Sequence, residues 1–433
     1  MLSATQHAAV TSDAARPLQI LAGPGSGKTR VLTSRVAWLV RDSATPIAPE
    51  RCVVVTFTNR AANEMRARLE TMIGADRTRR LVLGTFHAVC VRFLRRWGAR
   101  CLGLDPRFTI ADTDDARRLL RDVERDADAA LSAISRAKAH GWTPDELRAS
   151  GTHAPGSPGH AEHLALCRTY AAYQQQLRAS HALDFDDLLL LGVRLFREHP
   201  ELTAHIDHVL VDEFQDTNAV QYELLCRLSP HVSVVGDPDQ SIYSWRHADV
   251  RHIERMHLDF PGLHRVLLEE NYRSTPQILD AALSVMQQDP LRIPKGLYTA
   301  LASGPPVVVR ACHDADDEAL FVARDIRQHA RTTPYAHMSV LLRTTAHSRP
   351  FESVFHRLNI PYRLLGGVRF FDRAEVRDLL AYLTLADNPA YTPAVLRVLN
   401  VPKRGIGPQS AQQLANAAQH AQVPLLTHLA HAH

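Results

Sequence analysis

Long apolar runs and an amino-terminal signal pattern are both absent from this sequence. Across its 433 residues, no segment reaches the ~18 consecutive apolar residues that a membrane-spanning helix needs. The first ten residues lack the basic and then apolar order of a secretory signal peptide. We therefore expect no membrane partner and predict a cytoplasmic protein.

The sequence also lacks closely spaced cysteine pairs and contains few lysines. The six cysteines include no C-x-x-C pair, which argues against a zinc knuckle and a disulfide framework. Arginine supplies nearly all the positive charge, so a lysine within a motif is informative. Lysine occurs only at Lys28, Lys138, Lys295 and Lys403.

The overall composition is that of a folded globular chain. Hydrophobic residues make up 45% and charged residues 22% of the sequence, which argues against disorder and fibrous structure. At roughly 150 residues per domain, the length predicts about three folding units. The net charge of +4 is too small to indicate a polyanionic partner by itself.

Positive charge is nevertheless concentrated between residues 51 and 107. This range holds twelve arginines, no lysine and four acidic residues. Such a block either faces phosphate groups or forms solvated helix surfaces, and the sequence alone leaves both interpretations open.

Short apolar strands alternate with helical segments, a pattern that predicts a parallel α/β sheet. The predicted strands cover residues 18–21, 52–55, 81–83, 209–211 and 232–235. The mainly helical residues between the third and fourth strands, about 87–203, predict an inserted domain. After about residue 275 the pattern restarts, with strands predicted at 306–310 and 339–342 around a helix at 316–330.

A glycine-rich turn follows the first predicted strand and matches a P-loop, except that Ala22 replaces the first glycine. Backbone N–H groups of such a loop point at phosphate oxygens, beside the positive end of a helix. Lys28 would neutralise phosphate charge and Thr29 would offer its hydroxyl to magnesium. A chance glycine turn is the alternative, which the flanking strand and helix disfavour. The remaining loop residues are Gly23, Pro24, Gly25, Ser26 and Gly27.

Two carboxylates directly follow the fourth predicted strand. Asp212 and Glu213 stand where open α/β sheets bind ligands, at the carboxyl end of a strand. Asp212 would hold magnesium, and Glu213 would act as the general base on an attacking water. An isolated Asp-Glu pair is more often a helix cap, but an upstream P-loop favours catalysis.

Five further sequence segments stand out, in order: TFTNRAA at 56–62, GTFH at 84–87, DEFQDTN at 212–218, GDPDQSIYSWR at 236–246 and EENYRST at 269–275. They resemble successive motifs of the UvrD/PcrA/Rep helicases of superfamily one, and the similarity runs from about residue 2 to the last residues.

The resemblance implies an α/β fold built on a RecA-like P-loop NTPase lobe with a parallel sheet. Residues 1–88 and 204–275 would form this ATP-binding lobe, and residues 89–203 a helical inserted DNA-binding domain. Residues 276–375 would form the first half of a second RecA-like lobe. Residues 376–433 would begin a helical insertion of that lobe, left incomplete.

The resemblance also implies roles for residues around the nucleotide. Gln6 would recognise the adenine edge and Tyr272 would stack on the adenine. Arg30 and Arg273 would bring guanidinium charge to the phosphates. Gln240 would sense the γ-phosphate and couple it to the DNA groove.

For DNA, the resemblance implies that Tyr243 and Trp245 stack on unpaired bases. Without the motifs, Phe57 and Phe185 would more often be core residues. The further DNA-facing positions implied are Phe57, Thr58, Asn59, Thr85, His87, Phe185 and Arg246.

The implied activity is ATP-dependent 3′ to 5′ translocation on single-stranded DNA with duplex unwinding, using ATP and Mg²⁺. Expected partners are single-stranded DNA, junctions with duplex DNA and repair or replication proteins. The sequence departs from the family at three motif positions: Ser3 replaces asparagine, Arg60 replaces lysine and His247 replaces glycine.

We find no late family motifs in residues 405–433, including the arginine that reaches the γ-phosphate. We therefore expect the chain to bind ATP and DNA but to hydrolyse ATP slowly and unwind poorly. Three alternatives stay open: a second chain supplies the missing strands, the chain is a non-catalytic regulator, or it is an unrelated P-loop NTPase such as a nucleotide kinase. Tyr243 and Trp245 argue against the last.

Overall fold

The computed structural model describes residues 2–121, 123–150, 159–290, 292–365 and 373–431. The chain divides into two compact units. The first unit combines Met1–Pro305 with Ala381–His433, and the second is Pro306–Leu380. Within the described ranges, no helix is both long enough and apolar enough to cross a membrane.

The first unit is built on a parallel sheet, which confirms the predicted α/β class. All neighbouring strands in this sheet run parallel. Its strands among the described residues are β1 (Leu18–Ala22), β2 (Cys52–Thr56), β3 (Val82–Thr85), β6 (His208–Val211), β7 (Val232–Gly236) and β8 (His264–Leu268). These six strands lie in the order β3-β2-β6-β7-β1-β8. The five predicted strands are found with small shifts at their ends, whereas β8 was not predicted.

The central strands are apolar because both faces of the sheet are covered. In β2, Val53 and Val55 enter one hydrophobic core, while Cys52 and Val54 enter the other. Successive side chains of a strand point to opposite faces, so a continuous apolar run fills two cores at once. The carboxyl ends of these strands are left free to present polar loops.

Helices cover the sheet, and their amino-terminal caps determine how several strand ends turn. The side chains of Thr58, Thr85, Asp184 and Asn218 each accept a hydrogen bond from a backbone N–H in the first turn of the next helix. The helices here are α1 (Ala4–Thr11), α2 (Lys28–Ala37), α3 (Asn59–Ile73), α4 (Ala75–Arg80), α5 (Phe86–Leu102), α10 (Phe185–Glu198), α11 (Ala219–Leu228), α12 (His252–Asp259) and α13 (Pro276–Met286).

The residues between β3 and β6 are mainly helical, as predicted, and share one compact unit with the sheet. They also contain a short parallel strand pair that was not predicted. These elements are β4 (Thr109–Ala111), α6 (Thr113–Arg121), α7 (Ala127–Ala139), α8 (Pro144–Ala149), α9 (His160–Ala179) and β5 (Ala182–Asp184).

A buried ion cluster holds this helical part together. The Nζ atom of Lys138 lies 2.6 Å from Asp184 Oδ2 and 2.7 Å from Asp187 Oδ1. The Tyr173 hydroxyl donates to Asp184 at 3.0 Å. Burial disfavours the charged amine, but Asp184 and Asp187 outweigh that effect and raise the pKa of Lys138.

The residues after 380 pack on the inserted helices within the first unit. The Asn388 amide donates to the carbonyls of Ser180 and His181, at 3.1 and 3.2 Å. The Tyr391 hydroxyl donates to Asp115 at 2.7 Å. The helices of this segment are the last part of α16 (Ala374–Asp387), α17 (Thr392–Val398), α18 (Pro408–His420) and α19 (Leu425–His431).

The second unit contains α14 (Ala315–His329) and α15 (Ser348–Arg357), which pack through Ala319, Ala323 and Phe351. The first of these helices was predicted, but the two strands predicted here are wrong. In the described residues, neither 306–310 nor 339–342 is a strand, because no neighbouring segment supplies ladder hydrogen bonds. Their apolar side chains are exposed instead, with Val309 at 93% and Leu341 at 94%.

Candidate functional site

The P-loop lies between the end of β1 and the start of α2. Gly25 and Gly27 have φ angles of +67° and +85°, which other residues rarely adopt. A Cβ on Gly25 would also come within 2.7 Å of the Asn271 amide nitrogen. Because α2 begins at Lys28, its unpaired backbone N–H groups point out of the helix beside the loop. This arrangement suits an anion.

A second segment, residues 271–273, wraps the same loop. The Asn271 amide donates to Pro24 O at 2.6 Å, and the Tyr272 backbone N–H donates to Gly25 O at 3.0 Å. The guanidinium of Arg273 is exposed beside it, as is that of Arg30 on α2. Both predicted phosphate-contacting arginines are therefore free to approach a ligand on the loop.

Lys28 connects the P-loop to two other strand ends. Its Nζ atom donates to Gln240 Oε1 at 3.0 Å and lies 3.3 Å from Glu213 Oε2. The three residues follow β1, β6 and β7, which are neighbours in the sheet. Parallel strands end on the same edge, so residues distant in sequence meet there.

Two adjacent carboxylates follow β6, and that of Asp212 is buried. Asp212 is 5% exposed, and burial followed by the charge of Glu213 raises its pKa to about 7, against the opposing effect of Lys28. Glu213 has a left-handed φ of 49°, and its N–H donates to Asp212 Oδ1 at 3.1 Å. Such a conformation is unusual for a residue with a side chain and is often found at functional sites.

Asp212 and Thr29 have the ligand chemistry that a magnesium ion prefers. Asp212 offers a buried carboxylate with an adjacent like charge, so a nearby cation would favour its ionised form. The partly buried Thr29 offers a hydroxyl oxygen from the first turn of α2. Mg²⁺ prefers such oxygen ligands and is usually held by one or two carboxylates together with substrate phosphates.

Gln240 is held by a polar network that connects β6 to β7. Its Nε2 donates to Asp237 Oδ2, while the Asp237 N–H donates to Gln215 Oε1 at 2.9 Å. Gln215 in turn donates through Nε2 to Glu213 Oε2 at 2.9 Å. Asp237 and Gln215 are site residues that were not predicted from the sequence.

The predicted adenine-binding residues border a small cleft beside Ser26 of the P-loop. Gln6 is buried, with its Oε1 accepting from Ser3 N at 3.0 Å and its Nε2 donating to Ser26 O at 2.9 Å. Each amide atom therefore has one further hydrogen-bonding position. The Tyr272 ring is 45% exposed and its hydroxyl donates to Glu270 at 2.5 Å. Gln6, Ser26 and Tyr272 all line this cleft.

A larger groove of about 730 Å³ lies between the carboxyl edge of the sheet and the inserted helices. Asn59 and Tyr243 do not line it: Asn59 begins α3 at an exposed position, and Tyr243 supports the wall. The predicted DNA-facing residues that do line it are Phe57, Thr58, Thr85, His87, Phe185, Trp245 and Arg246.

The aromatic rings of this groove form a connected row. The centroid of Tyr243 is 4.8 Å from that of Phe57 and 6.1 Å from that of Trp245. The Arg246 guanidinium carbon lies 4.4 Å from the Trp245 ring centroid. Trp245 is 63% exposed, so one face of the indole is open to a flat partner.

His87 and Phe185, which also line the groove, form an edge-to-face contact with centroids 6.0 Å apart. Burial lowers the pKa of His87 to about 4, so its imidazole is neutral at pH 7. His247 also lines the groove, in the left-handed region at φ 67°. A glycine would adopt that conformation without strain.

The positive charge of the groove does not come from the arginine-rich block at residues 51–107. No arginine from residues 51–107 lines it, and Arg51, Arg68 and Arg80 form surface ion pairs. The block therefore consists at least partly of solvated helix surface. The arginines that do line the groove are Arg117, Arg136 and Arg246.

Asp216 lies on the floor of the groove and was not singled out from the sequence. It is 8% exposed, and its Oδ1 atom has no hydrogen-bond partner among the described residues. Burial, followed by the charge of Glu213, raises its pKa to about 6. Asp216 thus borders both the groove and the carboxylates beside Lys28.

Comparison with known proteins matches both parts of the chain to one family. Residues 2–261 match the UvrD/REP helicase N-terminal domain, and residues 266–432 match the UvrD-like helicase C-terminal domain. Proteins named ATP-dependent DNA helicase PcrA from Staphylococcus aureus and Staphylococcus epidermidis are 39% identical over 419 residues. The alignments cover 93% of this chain and 56% of each relative, so the chain spans about half their length.

Proposed function

The chain belongs to the UvrD/REP helicase family, and from that premise we propose that it acts as an ATP-dependent DNA helicase moving 3′ to 5′ on single-stranded DNA. One observation carries this proposal most strongly. Lys28 of the P-loop bonds to Gln240, which lies on the same loop as Tyr243 and Trp245. A nucleotide site and an aromatic groove are thereby joined by one short segment.

On the nucleotide side, the phosphates bind at the P-loop backbone and the Lys28 ammonium, with Arg30 and Arg273 adding guanidinium charge. Gln6 and Tyr272 orient the adenine from the small cleft. Asp212 and Thr29 would hold Mg²⁺, which would supply positive charge that stabilises phosphoryl transfer.

Glu213 is proposed as the general base. Its Oε2 accepts from Gln215 at 2.9 Å, which fixes the direction of the carboxylate. Its contact with Lys28, at 3.3 Å, is the one that a bound phosphate would compete for. When the ammonium turns to the phosphates, the Glu213 carboxylate is free to accept a proton from the attacking water.

On the DNA side, bases stack on the exposed face of Trp245 and against the row that includes Tyr243 and Phe57. Stacking of this kind is worth roughly 1–3 kcal/mol per base and tolerates any sequence. The Arg246 guanidinium, which lies above the indole, adds positive charge that attracts the phosphates of the DNA backbone. Because each stack is weak, the strand is held and released in every cycle.

DNA-stimulated ATP hydrolysis tests the coupling. We expect oligo-dT to raise ATP turnover of the parent chain, and Gln240→Ala to lose most of that stimulation while still binding oligo-dT and, with reduced affinity, ATP. Exposed Gln288→Ala on the same unit is the control. If the parent chain binds both ligands but its turnover does not respond to oligo-dT, the proposed coupling is wrong.

Direction is tested by displacing streptavidin from biotinylated oligo-dT. A 3′ to 5′ motor displaces streptavidin from the 5′ end and leaves the 3′ end occupied. Equal displacement from both ends, or displacement from the 3′ end only, would contradict the proposed direction.

A further inference from the structure

A segment after α13 folds back over the P-loop side of the sheet. Tyr298 pairs with the end of β8, donating to Glu269 O at 3.1 Å and accepting from Asn271 N at 2.7 Å. The Leu297 side chain fills the space beside Gly23, where an added Cβ would come within 2.1 Å of it. We call residues 292–298 the return segment.

The return segment carries two cations into a nearly dry acidic site. Lys295 Nζ contacts Asp237 Oδ1 and lies 3.1 Å from Asp239 Oδ2. Arg292 pairs with Asp239 at 3.0 Å. The side chains of Lys295 and Asp237 are only 3% and 0% exposed. Burial of two carboxylates is costly unless each is paired, and these two cations supply the pairing.

The same Asp237 also orients Gln240. One Asp237 oxygen pairs with the Lys295 ammonium, while the other accepts a hydrogen bond from Gln240 Nε2. With its nitrogen held there, the Gln240 amide presents its Oε1 oxygen to Lys28. An amide can be flipped end for end, so its orientation depends on such partners.

We propose that Lys295 is a positioning residue that fixes the Gln240 amide through Asp237, and that the return segment thereby sets how the site distinguishes ATP from ADP. The proposal rests on the function proposed above and deepens it. A neutral residue at position 295 leaves the Asp237 carboxylate without its cation. The Asp237 carboxylate then no longer keeps its position, and Gln240 loses its fixed orientation.

The test compares equilibrium binding of ATP and of ADP, each with Mg²⁺, to the whole chain. In Lys295→Met we expect affinity for ATP to fall by about tenfold or more, the effect of losing one oriented polar contact, with little change for ADP. Lys295→Arg keeps the charge and should retain much of the preference. Lys403→Met, an exposed lysine on the same unit, is the matched control.

A double variant shows whether Lys295 acts through Gln240. If it does, Lys295→Met adds little to the loss of ATP preference already caused by Gln240→Ala. Additive losses, or an equal weakening of ATP and ADP, would indicate only a structural role and overturn the proposal. A parent chain that binds both nucleotides without preference also overturns it while leaving nucleotide binding intact, whereas a parent that binds neither refutes the proposed function as well.

Discussion

Lys28 and Gln240 are 212 residues apart in sequence, yet the Lys28 ammonium donates to the Gln240 side-chain oxygen at 3.0 Å. The contact spans the ends of β1 and β7, which are adjacent strands. It places the charge at the P-loop in direct contact with the loop that carries Tyr243 and Trp245. Any ligand that draws Lys28 away also changes the surroundings of Gln240.

Replacing Glu213 with glutamine should separate ATP binding from hydrolysis. A general base contributes about 10²–10⁴-fold, so we expect turnover to fall by at least about 10²-fold. ATP affinity should be kept, because the substitution removes a carboxylate that competes with the phosphates for Lys28. Single-turnover hydrolysis and nucleotide titration measure the two effects. Glu223→Gln, on the surface of α11, is the control, and comparable turnover in both variants would contradict the assignment.

Replacing Trp245 with alanine should weaken binding of single-stranded DNA by about 1–3 kcal/mol, the worth of one stacked base. The indole is 63% exposed, so its removal should not destabilise the fold. Fluorescence anisotropy with labelled oligo-dT at fixed salt measures the change. Tyr335→Ala removes an exposed aromatic from the second unit as the control. An unchanged affinity of Trp245→Ala for oligo-dT would indicate that single-stranded DNA binds at another surface.

Replacing Lys138 with methionine should lower the free energy of unfolding by about 3–5 kcal/mol, because Asp184 and Asp187 would remain buried without a cation. Urea unfolding measures the loss, with Lys403→Met as the control. Adding Asp184→Asn and Asp187→Asn to Lys138→Met should recover part of the stability, since no unpaired charge then remains. An unchanged unfolding midpoint in the single variant would refute the buried-pair argument.

The pKa of Asp212, raised to about 7, predicts a pH-dependent stability in the absence of Mg²⁺. The folded state keeps this proton above the ordinary pKa of 3.8, so stability is lost as pH rises from about 4 to about 7. Asp212→Asn does not titrate and should be more stable than the parent at pH 8, on the order of 1–3 kcal/mol.

Thermal or urea unfolding at pH 4 and pH 8 measures this gap, which should close at the lower pH. Asp280→Asn, at an exposed position on α13, should show no such dependence. A gap of the same size at both pH values would contradict the assignment.

The sheet was predictable because its central strands are buried on both faces and therefore read as continuous apolar runs. The edge strand β8 (His264–Leu268) alternates exposed and partly buried residues and lacks that signal. The opposite error, a predicted strand that does not form, occurred at 306–310, where an apolar run has no neighbouring strand to pair with. Strand formation depends on a neighbour, and a local pattern does not contain that information.

In the candidate site, the motifs predicted residue types but not the contacts between them. Lys28, Glu213 and Gln240 were named individually, while their mutual distances depend on strand order. Asp237 and Lys295 were missed because neither stands out locally. The signal that could have found Lys295 was the rarity of lysine, since a chain that uses arginine nearly everywhere keeps a lysine in this buried position.

That same rarity makes the chain selective toward amine-reactive reagents. The side chains of Lys138 and Lys295 are 0% and 3% exposed, and that of Lys28 is 10% exposed. Lys403 alone among the four is open to solvent. Among the lysine side chains, a succinimidyl dye used at limiting concentration should therefore react chiefly with Lys403 and spare Lys28 of the P-loop, giving a fluorescent label without any engineered cysteine.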